Sequence, residues 1–178
     1  VPATIKLTPF SYAVLILVGR SGAGAHDLVR MMRQGRVFWT AAESQWYAEP
    51  KRLAEAGYLE ARREPGQTRE RTHYTLTRKG RKAIADWLEQ PSGFIRIQNE
   101  PVVRLLGADL ARDERRVAES LGAIRSEIAE RRDELRRGRE IAAGLPHRRR
   151  YLDLNADLGD RMLDAFEGWL DSVERELS

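Results

Sequence analysis

The chain has 178 residues, 42% hydrophobic and 33% charged, with a formal net charge of +4 and no cysteine. That length is enough for one large or two small domains with genuine cores. The lack of Cys excludes a disulfide framework, a thiolate metal site and a cysteine nucleophile. His26, His73 and His147 lie far apart with no H-x-x-x-H spacing, so neither a zinc site nor any other cofactor is expected. The longest apolar run, near Tyr12 to Val18, is too short to span a bilayer and lacks signal-peptide architecture. A cytoplasmic protein with no membrane partner is the expectation.

The charge is unevenly spread. Residues 1–90 hold 15 Lys and Arg against 9 Asp and Glu, whereas residues 91–178 hold 16 against 18. A polyanionic partner for the first half explains this economically, because Lys and Arg release counterions from phosphates. An Arg-rich composition with no such partner would look the same from charge alone.

In chain order, Thr8-Pro9 opens a helix, a capping hydroxyl followed by Pro at the first helical position. Phe10, Ala13, Val14, Leu17 and Val18 recur at helical spacing, and Gly19 ends the run. A loop over 20–24 leads to a second helix from about Ala25 to Gln34, with Leu28, Val29, Met31 and Met32 apolar and Gly35 as its stop. A third helix is predicted from about Ala41 to Ala56, with Ala42, Trp46, Pro50 and Leu53 as its stripe and Gly57 as its stop. Pro50 either kinks this helix or marks a later start, because it removes a hydrogen bond. Strands follow over Tyr58–Arg63 and Thr72–Thr77, with Tyr58, Leu59, Tyr74 and Leu76 inward. The turn between them, EPGQTRER, carries a Pro-Gly signal and two Arg. Thr77 caps a fourth helix, Arg78 to Leu88, buried through Ala83, Ile84, Trp87 and Leu88, and Pro91-Ser92-Gly93 breaks the chain.

The second half reads as all helical. A short helix spans Pro101 to Ala111 with Val102, Leu105, Leu106 and Leu110 as its stripe. Asp113 caps a longer one with Val117, Leu121, Ile124, Ile128 and Leu135 on a heptad seam, interrupted by Arg131 or Arg132. Residues 142–150 form a turn, and a last helix from about Tyr151 to Leu177 carries Leu158, Met162, Phe166, Trp169, Val173 and Leu177, widened by Leu163 and Leu170. Two long amphipathic helices joined by a turn make an antiparallel hairpin. Its apolar face is broad enough to call for a second subunit, with Leu121, Ile124, Ile128, Leu158, Met162, Phe166, Trp169 and Val173 as the expected dimer interface; a monomeric bundle with the short helix is the alternative.

The fold class is therefore mainly α with a small β-wing: a winged helix-turn-helix over 1–90 and an antiparallel, coiled-coil-like helical dimerisation domain over 91–178. A helix-turn-helix places the exposed face of its second helix in the major groove of duplex DNA. With Trp46 and Leu53 inward, Ser44, Tyr47, Ala48 and Lys51 face outward. Ser44 and Gln45 reach base edges or phosphates, Gln being suited to adenine. Thr40 lies just ahead of the helix, and Lys51 and Arg52 suit phosphate contact. Glu43 and Glu49 are awkward on such a face unless solvated or paired with Arg. At the wing, Gln67, Arg69 and Arg71 suit the minor groove or phosphates, solvated loop charge being the plainer alternative.

QWYAEPKRLAEAGYLE over 45–60 and RTHYTLTRKGRKAIADWL over 71–88 resemble the PadR family of bacterial regulators. The first carries Y-x-x-x-K-R-L-x-x-x-G-[YL]-[LI] through Tyr47, Lys51, Arg52, Leu53 and Gly57, and the second R-x-x-Y-x-L-T-x-x-G. LTPFSYAVLILV over 7–18 is similar to the family's opening helix. In GAHDLVRMM over 24–32, Ala25 and His26 depart from the family's Gly-Tyr pair and Asp27 matches it. Pro50 stands where the family usually has Leu. The second half resembles the subgroup with a virulence-activator-like helical domain. The resemblance implies a homodimer on a partly palindromic operator in double-stranded DNA, regulation that is most often repression, and no enzymatic activity. It leaves room for a small-molecule effector, unidentified here. The runner-up is a winged-helix protein-interaction module without DNA binding. An enzyme is disfavoured: the chain has no Gly-rich phosphate loop and no G-x-S-x-G elbow, and no residue is assigned as catalytic.

Overall fold

The computed structural model describes residues 5–33, 36–39, 41–65, 70–95 and 97–178. They form two compact units, Val1–Arg33 with Trp39–Gly93 and Gln34–Phe38 with Phe94–Ser178. Residues 36–38 thus belong with the second unit.

In the first unit, α1 (Pro9–Val18) begins at a reciprocal cap. The Ser11 amide donates to Thr8 Oγ1 at 3.2 Å and the Thr8 amide donates to Ser11 Oγ at 2.9 Å. There follow β1 (Ala23–Gly24), α2 (Ala25–Arg33), α3 (Glu43–Glu55), β2 (Leu59–Glu64), β3 (Arg71–Leu76) and α4 (Arg78–Leu88). The sheet is antiparallel in the order β1-β3-β2, with Leu59 opposite Leu76 and Ala23 opposite Tyr74. Val14, Leu15, Leu28, Trp46, Leu53, Leu59 and Tyr74 meet in one core, which fixes α3 on α1, α2 and the sheet.

Several local expectations change. The loop over 20–24 contains β1, a strand too short to leave a periodicity signal. Its entry needs glycine: Gly22 has φ +79°, and a Cβ there would lie 2.3 Å from His73 Nε2. α3 starts at Glu43, so Ala42 is the residue before the helix and lies outside the stripe. Pro50 stays within α3 and is fully buried. Leu15 is fully buried although the apolar spacing did not single it out, and Leu88 is exposed, because α4 turns Gly80, Ala83, Ile84 and Trp87 inward, Trp87 stacking on Tyr12 at 4.4 Å. Gly80 permits that approach, since a Cβ on it would sit 2.2 Å from the Tyr58 carbonyl oxygen. The proposed stops at Gln34 and Gly35 lie outside the described residues.

The second unit holds α5 (Glu100–Leu106), a 3₁₀ turn (Ala108–Leu110), α6 (Glu114–Gly122), α7 (Ile124–Ala143) and α8 (Pro146–Leu177). Asp113 caps α6, its carboxylate accepting from the Arg115 amide. A turn at Ala123 divides the expected single helix into α6 and α7 while the seam runs on through both. α8 begins at Pro146, so His147 to Arg150 are helical where a turn was expected. Pro at the first helical position favours that earlier start.

α7 and α8 pack antiparallel. Leu121, Ile128 and Leu135 close on Ala156, Leu163, Leu170 and Val173. Gly159 gives room for Leu135, whose methyl would stand 2.8 Å from a Cβ there. Alongside runs a ladder with a seven-residue step on both helices: Arg125 bridges Asp171 and Glu174, Arg132 bridges Asp164 and Glu167, and Arg139 bridges Asp157 and Asp160. The pairs are exposed or partly buried, and individually weak. Together they match only when the helices are in this register, because a shift of one residue turns each Arg away from both carboxylates.

Within one chain, this packing already uses several of the residues expected at the dimer interface. Leu121, Ile128 and Val173 are buried within one hairpin and so belong to the seam inside a single chain. Ile124, Met162, Phe166 and Trp169 are half-buried, Phe166 and Trp169 meeting edge to face at 6.4 Å. Leu158 is 53% exposed. Large apolar side chains instead stand in solvent on α5 and the adjoining segments: Phe94, Val103, Leu106 and Leu110 are all more than half exposed. The expected α5 stripe is therefore uncovered in the single chain, except at Leu105, which packs partly on the hairpin.

Candidate nucleic-acid interface

The exposed face of α3 is set by its buried one. Trp46, Pro50 and Leu53 are the buried residues of the helix, and Trp46 meets Phe10 edge-on at 4.6 Å. The opposite face must then carry Ser44, Tyr47, Ala48, Lys51 and Glu55 at helical spacing. All five are exposed, as is Gln45. Lys51 makes no ion pair among the described residues. Tyr47 is 39% exposed.

Arg52, expected to contact phosphate, is paired within the chain. Its Nε donates to Glu49 Oε2 at 2.8 Å and its Nη2 donates to Ser11 Oγ at 3.0 Å. The guanidinium thus ties α3 to the cap of α1. Burial pushes the Glu49 carboxyl up, but hydrogen bonds from Arg52 and Ser11 outweigh it and hold the group below its ordinary value of 4.5. Glu49 is thereby neutralised locally and removed as a repulsive charge. Because its folded value is depressed, its contribution is complete above the unfolded value and is lost as pH falls through the folded one. The gap in thermal midpoint between the wild type and Glu49→Gln is therefore expected to shrink as pH drops from 6 to 3. A gap constant over that range, measured by circular dichroism, would refute the pairing.

On the sheet, Arg71 is exposed and faces Glu64 at 3.4 Å, while Arg63 faces Glu70 at 3.5 Å and Arg62 faces Glu60 at 3.1 Å. Such surface pairs exchange readily for a stronger anion. Thr40, Gln67 and Arg69 lie outside the described residues. Among the described residues no His, Asp and Glu cluster could hold a metal, and no helix is long and apolar enough to cross a membrane.

A groove of about 470 Å³ lies where the start of α1 meets α3, with Phe10 and Trp39 stacked at 6.2 Å along it and Gln45 on its rim. Sequence reasoning did not find it, because it joins residues some forty positions apart.

Residues 15–86 match the Transcriptional regulator PadR-like family. The chain is 34% identical over 80 residues to the negative transcriptional regulator PadR of Bacillus subtilis (strain 168), a match covering 43% of each protein. It therefore spans less than half the length of that relative. Crystal structures of B. subtilis PadR superpose on 95% of this chain and 99% of theirs when in complex with operator DNA (TM-score 0.72). With p-coumaric acid the figures are 93% of this chain and 98% of that one at TM-score 0.57, both structures at 19% identity. The Vibrio cholerae virulence activator AphA superposes with TM-score 0.66 and 22% identity, covering 94% of this chain and 96% of its own.

Proposed function

We propose that the chain is a PadR-like transcriptional regulator, a homodimeric repressor that grips a partly palindromic operator in duplex DNA; the match of residues 15–86 to the PadR-like family supports this reading. The observation that carries this is the face of α3: a buried Trp46, Pro50 and Leu53 stripe presents Ser44, Gln45, Tyr47 and Lys51 outward. α3 enters the major groove, Ser44 and Gln45 read base edges, and Lys51 and Tyr47 hold phosphates. The wing, with Arg71 and by sequence Gln67 and Arg69, rests on the minor groove or the phosphates beside it. Arg52 contributes by fixing α3 to α1. Residues 1–90 supply the DNA-binding function and residues 91–178 dimerisation, with Leu158 and the exposed apolar residues of α5 in the interface. Apolar exposure on that scale is unusual for a lone subunit in water.

The relative solved with operator DNA supports this reading, and the one solved with p-coumaric acid makes an aromatic acid the first effector class to titrate. The test is selection of bound fragments from a genomic library at two salt concentrations. An inverted repeat enriched at both is the expected result. Lys51→Ala should weaken binding to every sequence and flatten its salt dependence by about one counterion, whereas Gln45→Ala should change which bases are preferred. No binding at either salt would favour a protein-interaction module on the same scaffold.

A further inference from the structure

The groove at the start of α1 has a charge imbalance. Glu49 and Arg52 line it together, and they neutralise each other through two hydrogen bonds. Lys6 lines the same groove, is exposed, and makes no ion pair among the described residues. With no counterion among the described residues, that ammonium is open to an external anion. Gln45, expected to read bases, stands on the same groove. A DNA strand brought to Gln45 carries its phosphates past the groove, and the stacked Phe10 and Trp39 rings give the lysine stem an apolar surface to lie along.

We infer that Lys6 is a further DNA-contacting residue, binding one phosphodiester that crosses the groove between α1 and α3. The inference rests on the DNA-binding reading of α3. It extends the contact surface to the chain segment before the first helix, and it assigns Lys6 to holding the backbone, with no part in reading sequence. Its position is capped from behind: Thr8 and Ser11 bond each other and start α1 two residues on, so the segment carrying Lys6 enters a fixed helix.

Operator binding across a range of salt, for the wild type, Lys6→Ala, Lys6→Arg and Lys51→Ala, tests this. Lys6→Ala should lower affinity by a similar factor for the operator and for unrelated duplexes. It should also reduce the slope of log affinity against log salt by about one, while Lys6→Arg keeps the wild-type slope. A second experiment replaces single operator phosphates by neutral methylphosphonates. One position per half-site should weaken the wild type yet leave Lys6→Ala unaffected, which identifies the phosphate and separates it from free inorganic anion. An unchanged slope in Lys6→Ala, or a loss that depends on base sequence, overturns the assignment while Lys51→Ala still shows its own slope change. If the wild type and Lys51→Ala are equally indifferent to DNA and salt, the DNA-binding reading falls and this inference with it.

Discussion

Replacing Glu134 by alanine is expected to destabilise the helical hairpin by about 3 kcal/mol, the lower end of what breaking a buried ion pair costs. Glu134 is only 7% exposed and lies on α7 close to the apolar seam. Its Oε1 accepts from Arg36 Nε at 3.0 Å and Nη2 at 2.6 Å. Its Oε2 faces Arg131 Nη1 at 3.5 Å, and neither of those two atoms has a hydrogen-bond partner. Without the carboxylate, Arg36 can return to water because its side chain is nearly half exposed, so its loss is small. Arg131 is the more enclosed of the two and keeps only Glu127, at 3.9 Å. That difference places the expected cost at the low end. Glu134→Gln should fall between, since an amide oxygen still accepts from Arg36 but no longer balances two cations. Changing Glu134 to Leu together with Arg131 to Met should recover most of the loss, because a matched apolar pair has no desolvation to offset. Urea unfolding of the four proteins decides it. Single and double variants of equal stability would show that Glu134 contributes through packing alone.

Trp46→Ala should cost about 3–5 kcal/mol, the range for removing a large aromatic from a core. The indole is 3% exposed and touches Phe10, which also stacks on Trp39. It therefore joins α3 to α1 and to the segment entering α3. Trp46→Phe keeps an aromatic edge for Phe10 and should lose much less. The functional consequence follows from geometry: Ser44, Gln45, Tyr47 and Lys51 face outward only while Trp46 faces in. DNA affinity should then fall with stability in Trp46→Ala, in contrast to Lys51→Ala, which should lose affinity at unchanged stability. Denaturation midpoints and binding isotherms measured on both variants separate the two outcomes. A Trp46→Ala variant within about 1 kcal/mol of the wild type would mean that other contacts fix the helix.

Local signals were strong wherever a short stretch of chain settles its own conformation. Thr8-Pro9 and Thr77 both cap helices as read, because a hydroxyl satisfies an amide three residues away regardless of the rest of the fold. Trp46 inward with Ser44, Tyr47 and Lys51 outward followed from helical periodicity alone. Pro50 was an open question in the sequence. Its ring is buried in a continuous helix, so the core tolerates the hydrogen bond it removes. The two-residue β1 was invisible, since a strand that short exists only by pairing with β3.

By itself, then, the sequence determined most of the element types and the outward face of α3, both of which depend on spacing within a few turns of chain. Only the tertiary structure decided which apolar residues are spent inside one subunit. Leu121, Ile128 and Val173 are consumed by the seam that α6 and α7 make with α8, whereas Leu106, Leu110 and Leu158 are left in water. It also decided which charges are free: Arg52 is held by Glu49 and Ser11, while Lys51 and Lys6 have no such partner among the described residues. The reason is the same in both cases. Periodicity says that a face is apolar or charged, but the partner of that face comes from residues distant in sequence, and only packing brings them together.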